Sequence, residues 1–284
     1  MKLSDHELQW IENTSGLREW IDIKNRRHDY PSEKLRFIGV LEANEKTVTA
    51  QMMAYMLESS GFSVDIKNTT ELFYNTTGEE NHLFMLEEYF EYLQEQVKKK
   101  KDIIIFQMNT DFIKAYPLLQ TPFDVFIHTM LGMDSISIGE ELKEKIESSK
   151  VLINHLPKES IIAVNMDDCI CTDFLEVLKD RMVITYGLSA KATVTASSIE
   201  TTPFLKFYCC IQRGITTKNG IEIEPLEFPV EIKLAEKNNV YSVLAAATGV
   251  MVFGVPPDGI TSEIFLFSGE DRRIENEKKI YISY

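Results

Sequence analysis

The sequence predicts an α/β fold with a mostly parallel sheet flanked by helices and a small additional antiparallel sheet. Short apolar runs, such as residues 37–41, alternate with longer segments whose apolar residues recur at helical spacing. Parallel strands joined by helices have this pattern. From residue 192 to residue 232 the pattern becomes an alternation divided by turn residues, which is typical of antiparallel strands.

Length and charge limit the classes of function. The chain has 284 residues, which suits one large domain or two modest ones, and its net charge is −14. This acidity disfavours nucleic acid or an anionic membrane as a partner, because both attract basic surfaces. No apolar run reaches the ~18 residues of a membrane-spanning helix, and the N-terminus lacks a signal-peptide core. We therefore expect a cytoplasmic protein that binds neither nucleic acid nor membrane.

The cysteines and histidines do not predict a metal site. Cys169 and Cys171 are two positions apart and Cys209 and Cys210 are adjacent, so neither pair has C-x-x-C spacing. The five histidines are scattered, without an H-x-x-x-H or H-E-x-x-H pattern. We expect incidental or buried thiols and no zinc.

Residues 1–35 predict a helical appendage to the main domain. Ser4 and Glu7 have the spacing of a capping box, and residues 8–11 begin an amphipathic helix. Residues 17–23 fit either a helix or an extended segment. Because the apolar face of the first helix needs a covering surface, we expect it to dock on its own domain or on another copy, and we favour a homo-oligomer.

Residues 37–61 predict a strand, a polar turn and a helix, followed by a second strand, which is a βαβ unit. Lys46 and Thr47 lie at the N-terminal end of this predicted helix, where the backbone N–H groups favour a phosphate. A Lys-Thr pair also occurs in ordinary turns with a solvated lysine. The pair alone leaves both interpretations open.

Residues 37–50 resemble the nucleotide loop of the Mur ligases, the ATP-dependent enzymes that build the peptide of cell-wall precursors. The family pattern is roughly (I/V)-G-V-T-G-T-N-G-K-T-T-T. The matching residues are Gly39, Val40, Asn44, Lys46, Thr47 and Thr49. The resemblance implies a P-loop-type central domain whose nucleotide site includes Asn44, Lys46 and Thr47.

Two glutamates depart from that pattern, because Glu42 and Glu45 stand where the family has glycines. Glycine permits positive φ and lets backbone N–H groups approach a phosphate. A carboxylate repels the same phosphate, at a cost on the order of 4 kcal/mol at ~4 Å near a protein surface. We therefore expect ATP to bind weakly or not at all.

Further motifs extend the resemblance to about residue 275. Residues 160–168 resemble the family's a-V-I-N-A-D-D segment, which implies that Asn165 and Asp168 border the nucleotide. Thr76 and Thr77 resemble the T-T-P loop with which the muramoyl-tripeptide synthetase branch holds its UDP-muramoyl substrate.

Other segments repeat further family motifs. Residues 182–188 reproduce r-V-I-T-Y-G-L, residues 239–247 resemble f-N-V-Y-N-A-L-A-A, and residues 269–275 resemble the hinge that opens the C-terminal ligase domain.

The metal ligands that the resemblance implies are largely replaced. Gln107 stands near the glutamate that helps to hold magnesium, and Ser135 replaces a metal-binding histidine. An amide oxygen can bind magnesium but brings no charge, so the implied site is weakened. Lys150 lies within about one residue of a lysine that the family carbamylates, and we expect it to be an ordinary lysine. We assign no metal ligand and no catalytic residue.

The predicted domains are an appendage (residues 1–35), a Mur-ligase-like central domain (36–270) and a residual hinge (271–284) without the C-terminal ligase domain. We expect degenerate nucleotide and metal sites and a binding or regulatory role, in which a UDP-muramoyl precursor or a protein is the partner. ATP and Mg²⁺ are the implied cofactors if the loop still functions. Two alternatives stay open: an ATP-dependent ligase subunit completed by another chain, and a module that binds a UDP-sugar or muropeptide.

Overall fold

A nine-stranded sheet runs through the part of the chain that the computed structural model describes. That part comprises residues 14–41, 48–69, 82–108, 121–129, 140–168, 174–234 and 238–267. The predicted capping box at Ser4 and Glu7 and the predicted hinge lie outside it.

Helices separate most of the strands in the first two thirds of the chain, and antiparallel strands follow. The strands are β1 (Arg36–Leu41), β2 (Val64–Asn68), β3 (Ile103–Met108), β4 (Val125–His128), β5 (Ile161–Asn165), β6 (Met182–Tyr186), β7 (Val194–Glu200), β8 (Leu205–Ile211), β9 (Ile215–Thr216), β10 (Glu222–Ile223) and β11 (Leu226–Ile232). The helices are α1 (Thr14–Arg27), α2 (Thr49–Ser59), α3 (His82–Lys98), α4 (Glu140–His155), α5 (Leu175–Leu178), α6 (Asn239–Val252) and α7 (Pro257–Leu266).

The parallel part of the sheet has the order β6-β5-β4-β1-β3-β2. Strand β1 pairs in parallel with β3 on one side and with β4 on the other, and Phe37 is the register partner of Ile104. The predicted mostly parallel sheet is therefore confirmed. Strands β1, β4 and β5 are almost entirely buried, as expected of strands covered on both faces.

The antiparallel part continues the same sheet. Strand β7 pairs in parallel with the end of β6 through Tyr186 and Val194, and β8 and β11 then add in antiparallel order. Strands β9 and β10 form a separate two-stranded antiparallel sheet. The antiparallel addition after residue 192 is thus confirmed.

Two hydrophobic cores lie on opposite faces of the sheet. One core contains Ile38 and Ile127 with the buried side chains of α2, α6 and α7, and the other contains Phe37 and Phe126 with those of α3 and α4. The division follows from the strand period of two, because neighbouring residues of a strand point to opposite faces. The strand ends are therefore held between two helical layers.

For three helices, the structure either differs from the sequence prediction or decides between its alternatives. Residues 17–23 are helical within α1, which packs on its own domain through the buried side chain of Ile21. The sequence predicts a helix over residues 140–149, whereas α4 continues to His155. The reason is that Leu152 and Ile153 are fully buried and continue its apolar face.

The sequence predicts a helix over residues 173–181, whereas α5 spans only Leu175–Leu178. It ends at Leu178, and the chain then turns to place Arg181 against the end of α4. The guanidinium donates to the backbone oxygens of Ile153 (2.7 Å) and Leu156 (2.8 Å), among others. Carbonyl groups at a helix end have no intrahelical partner, so Arg181 satisfies them.

No helix in the described part of the chain is long and apolar enough to cross a membrane.

Candidate functional site

The carboxyl ends of the parallel strands form the candidate site. In open α/β sheets, ligands bind outside these ends. The ends of β1 and β4 are joined by Thr129, whose N–H (3.1 Å) and hydroxyl (2.7 Å) both donate to the backbone oxygen of Leu41. The predicted loop residues Asn44, Lys46 and Thr47, which follow β1, lie outside the described residues, as do Thr76 and Thr77.

Helix α2 begins at this edge, directly after the predicted nucleotide loop. Its first residue, Thr49, is 1% exposed, and within the described structure its hydroxyl oxygen has no hydrogen-bond partner. The first backbone N–H groups of a helix also lack intrahelical acceptors, and the helix dipole favours an anion there. A phosphate or another acceptor at this position would satisfy both kinds of group.

Asn165 ends strand β5 and is 2% exposed. Its side-chain oxygen Oδ1 accepts the backbone N–H of Asp167 at 3.0 Å. Its amide nitrogen Nδ2 has no hydrogen-bond partner among the described residues. A buried amide donor without an acceptor is costly, so this group is suited to a ligand.

Asp167 connects two segments beside Asn165. Its carboxylate accepts the backbone N–H groups of Leu188 and of Ser189, the latter at 3.0 Å. Tyr241, in the first turn of α6, lies close enough to interact electrostatically with Asp167. Partial burial and the neighbouring Asp167 both raise the pKa of Tyr241 above its usual value. Sequence reasoning did not select Tyr241, although it lies in the f-N-V-Y-N-A-L-A-A motif.

Asp168 and His128 lie near each other at the same strand ends. Asp168 is 5% exposed, and the ring of His128 contacts the ring of Phe174 edge-on, with centroids 4.8 Å apart. Complete burial lowers the pKa of His128 to about 4, although the charge of Asp168 acts in the opposite direction. The Nε2 atom of His128 has no hydrogen-bond partner in the described structure. Sequence reasoning missed His128 because it ends an otherwise apolar strand.

The described residues do not form a metal site. No group of three or more His, Cys, Asp or Glu side chains in the described ranges could hold a metal ion. Gln107 lies on β3, and Lys150 forms an ion pair with Glu147 (2.7 Å) on the surface of α4. The preceding residue of this helix, Ser149, is by contrast fully buried. Ser135 lies outside the described residues.

A family model and several sequence relatives match the chain. The model of the Mur ligase middle domain matches residues 43–250. The UDP-N-acetylmuramoyl-L-alanyl-D-glutamate–2,6-diaminopimelate ligase of Chlamydia caviae is 24% identical over 79% of this chain and 44% of its own length. The corresponding ligase 1 of Clostridium acetobutylicum is 26% identical over 87% of this chain and 49% of its own length. The chain thus spans about half the length of the curated relatives it matches.

Solved structures show the same fold. A crystal structure of MurF from Acinetobacter baumannii has a TM-score of 0.64 and 16% identity, covering 89% of this chain and 51% of that one. A UDP-N-acetylmuramoyl-L-alanyl-D-glutamate–2,6-diaminopimelate ligase has a TM-score of 0.63 and 16% identity, covering 86% of this chain and 50% of that one. At this identity the likeness concerns the fold alone.

Proposed function

Because the chain belongs to the Mur ligase family, we propose that it is a nucleotide-binding protein of cell-wall precursor metabolism that binds or regulates rather than ligates. The supporting observation is the pair of buried polar atoms without a protein partner, Nδ2 of Asn165 and Oγ1 of Thr49. A buried polar group left unpaired costs about 1–3 kcal/mol. A bound nucleotide would remove that cost at both positions.

The two atoms lie on one face of the sheet. Asn165 follows Val164, which belongs to the core of the opposite face, so its side chain points to the face that carries α2 and α6. Thr49 begins α2, which packs against α6. A nucleotide on this face would reach both groups from the outer end of the sheet.

The weakened phosphate and metal positions support binding without ligation. The family's chemistry transfers a phosphoryl group from ATP to a carboxylate, which requires a phosphate cradle and metal ions to stabilise the developing charge. In this sequence Glu42 and Glu45 replace cradle glycines, and Gln107 replaces an acidic residue. The nucleoside end of the site keeps its polar groups, whereas the phosphate end has gained negative charge.

The strongest alternative is an ATP-dependent ligase subunit completed by another chain. The relatives carry the name of a ligase that joins 2,6-diaminopimelate to UDP-N-acetylmuramoyl-L-alanyl-D-glutamate. The sequence also retains Lys46, Thr47 and Asp168 at positions of the family motifs. A third candidate is a module that binds a UDP-sugar or muropeptide through Thr76 and Thr77.

Calorimetric titration, together with a measurement of ADP formation, distinguishes these functions. We expect adenosine or AMP to bind, ATP to bind no more tightly than AMP with or without Mg²⁺, and no ADP to form when precursor and 2,6-diaminopimelate are added. Precursor-dependent ADP formation by this chain alone would overturn the proposal. ADP formation that requires a second purified chain would favour the ligase subunit, and binding of a UDP-muramoyl precursor without any adenine nucleotide would favour the third candidate.

A further inference from the structure

A groove of about 650 Å³ lies between α7 and the outer strands of the antiparallel part of the sheet. Phe265 and Leu266 line it from α7, and Tyr208 and Pro229 line it from β8 and β11, where they are register partners. The hydroxyl of Thr261 donates to the backbone oxygen of Pro229 (2.9 Å), which helps to hold α7 against β11. None of these residues belongs to the candidate site described above.

Large apolar side chains are exposed in this groove. Phe265 is 41% exposed, Leu266 is 52% exposed and Tyr208 is 45% exposed. Single exposed apolar residues are common on protein surfaces, whereas a cluster of them in a concave surface marks a place where another segment or molecule binds. The groove therefore has the character of a binding surface.

The chain leaves the described structure beside this groove. Helix α7 ends at Leu266, one of the residues that line it. The next residue, Phe267, is 5% exposed, and its ring packs edge-on against that of Tyr55, with centroids 5.9 Å apart. This packing fixes the point from which residues 268–284 continue, and these lie outside the described residues.

Residues 280–284 have side chains that suit an apolar groove. Their sequence is Ile-Tyr-Ile-Ser-Tyr. About a dozen residues separate Phe267 from Ile280, and an extended chain spans ~3.3 Å per residue, so the segment can turn back to any part of the groove. The entropic cost of closing such a loop grows only slowly with its length.

Charged residues border the apolar part of the groove. The ammonium group of Lys206 pairs with the carboxylate of Glu231 at 3.0 Å, and Nζ of Lys233 lies 5.4 Å from the ring centroid of Phe265. Residues 275–279 likewise contain two glutamates and two lysines. Because binding surfaces combine an apolar centre with a polar rim, residues 275–279 suit the border and the following residues suit the centre.

We propose that residues 280–284 bind in this groove of the same chain and cover the exposed side chains of α7 and β8. A segment on a short flexible tether has an effective concentration on the order of millimolar, so a weak contact is enough to keep it bound. A second copy or a separate protein lacks this advantage. The inference does not depend on nucleotide binding, so its outcome leaves the proposed function unaffected.

The first test measures how fast trypsin cleaves the full chain after Lys278 or Lys279, using mass spectrometry to detect the released peptide. Trypsin cleaves a bound segment only when it is released, so the rate follows the released fraction. The double variant Phe265→Ser and Leu266→Ser removes apolar side chains from the groove, and we expect cleavage to become about tenfold faster. Both residues are substantially exposed, so the fold should tolerate the change.

The matched control is the double variant Val151→Ser and Ile221→Ser. These residues are 44% and 61% exposed, and they lie on α4 and between β9 and β10, away from the groove. The control removes a similar amount of exposed apolar surface, and cleavage should proceed as in the unchanged protein. Circular dichroism verifies that both double variants are folded.

The second test does not alter the groove. In the full chain with Ile280→Ser and Ile282→Ser, the segment should no longer occupy the groove. A fluorescently labelled synthetic peptide of residues 274–284 should then bind this variant, as measured by fluorescence anisotropy. We expect binding to the unchanged protein to be at least about tenfold weaker, because its own tethered segment competes.

Each of three results would overturn the inference. The first is equal cleavage rates in the unchanged protein and in the variant at Phe265 and Leu266. The second is equal binding of the peptide to the unchanged protein and to the variant at Ile280 and Ile282. The third is protection from trypsin that disappears on dilution while light scattering shows a dimer becoming a monomer, because the segment would then bind a second copy.

Discussion

The hydroxyl of Tyr186 donates a hydrogen bond to the backbone oxygen of His128 across 3.0 Å. Tyr186 lies at the end of β6 and His128 at the end of β4, so the tyrosine reaches over the intervening strand β5. Both residues are about 1% exposed. Asn165, the last residue of β5, is the register partner of Tyr186. This bond therefore fixes the strand ends on both sides of the candidate site.

Replacement of Tyr186 by phenylalanine should destabilise the protein. The change removes a buried hydrogen bond without removing the ring, and such a loss costs about 1 kcal/mol. Chemical denaturation followed by circular dichroism measures the free energy of unfolding. Tyr208→Phe is the control, because Tyr208 is 45% exposed on β8 and should tolerate the change. Equal stabilities of the two variants would contradict the importance of the Tyr186 bond.

The burial of His128 should make stability depend on pH. Its pKa is lowered to about 4 in the folded protein, against about 6.5 in an unfolded chain. Between these values the unfolded state binds more protons, so the free energy of unfolding rises with pH through this window. The contribution is complete above pH 6.5 and is lost as the pH falls towards 4, by about 3 kcal/mol.

Urea denaturation at several pH values measures this effect. His128→Leu should reduce the change in stability between pH 6.5 and pH 4, because leucine does not titrate. His155→Leu is the control, since His155 is exposed near the end of α4 and should leave the pH dependence unchanged. A pH dependence that persists in His128→Leu would show that other groups cause it.

Gly187→Ala should impair both stability and nucleoside binding. The new methyl group would lie 2.7 Å from Oδ2 of Asp167, in addition to the strain of the φ of +145°. The matched control is Gly220→Ala, because Gly220 also has a positive φ, of +76°, but no atom within 4 Å of the added Cβ. Backbone strain alone costs roughly 1–2 kcal/mol. We expect thermal denaturation to detect a loss in both variants and calorimetry to detect weaker adenosine binding only in Gly187→Ala.

The sequence predicts the parallel sheet well because its strands are buried on both faces. A run such as residues 103–106, which is entirely apolar, fits few structures other than a central strand. Asn165 was selected because residues 160–168 resemble a family segment, and its role at a nucleotide site stays a prediction. Features that depend on a short segment alone can therefore be predicted from the sequence.

Contacts between distant segments could not be predicted from the sequence. Tyr241 in α6 lies close to Asp167, which follows β5, and neither residue alone indicates the other. The early end of α5 depends on Arg181 binding the carbonyl groups of a different helix. His128 was overlooked because a single polar residue at the end of an apolar strand carries no pattern. Each of these features arises from tertiary packing and not from local spacing.

The nucleotide loop provides a test of the degenerate phosphate position. The double change Glu42→Gly and Glu45→Gly restores two glycines of the family pattern and removes two negative charges. Glycine gives backbone N–H groups access to a phosphate, and the loss of charge removes repulsion. We expect ATP to bind more tightly to the double variant, while adenosine binds unchanged because it carries no phosphate.

A control distinguishes a general loss of negative charge from a local effect of Glu42 and Glu45 on ATP binding. Glu224→Gly combined with Glu227→Gly removes the same charge at exposed positions in the antiparallel part of the chain and should leave ATP binding as it was. Ligation should not appear in the Glu42→Gly and Glu45→Gly variant, because Gln107 and Ser135 still occupy the family's metal positions. Tight, Mg²⁺-dependent ATP binding by the unchanged protein would contradict this view of the loop, since the two glutamates would then be compatible with a bound polyphosphate.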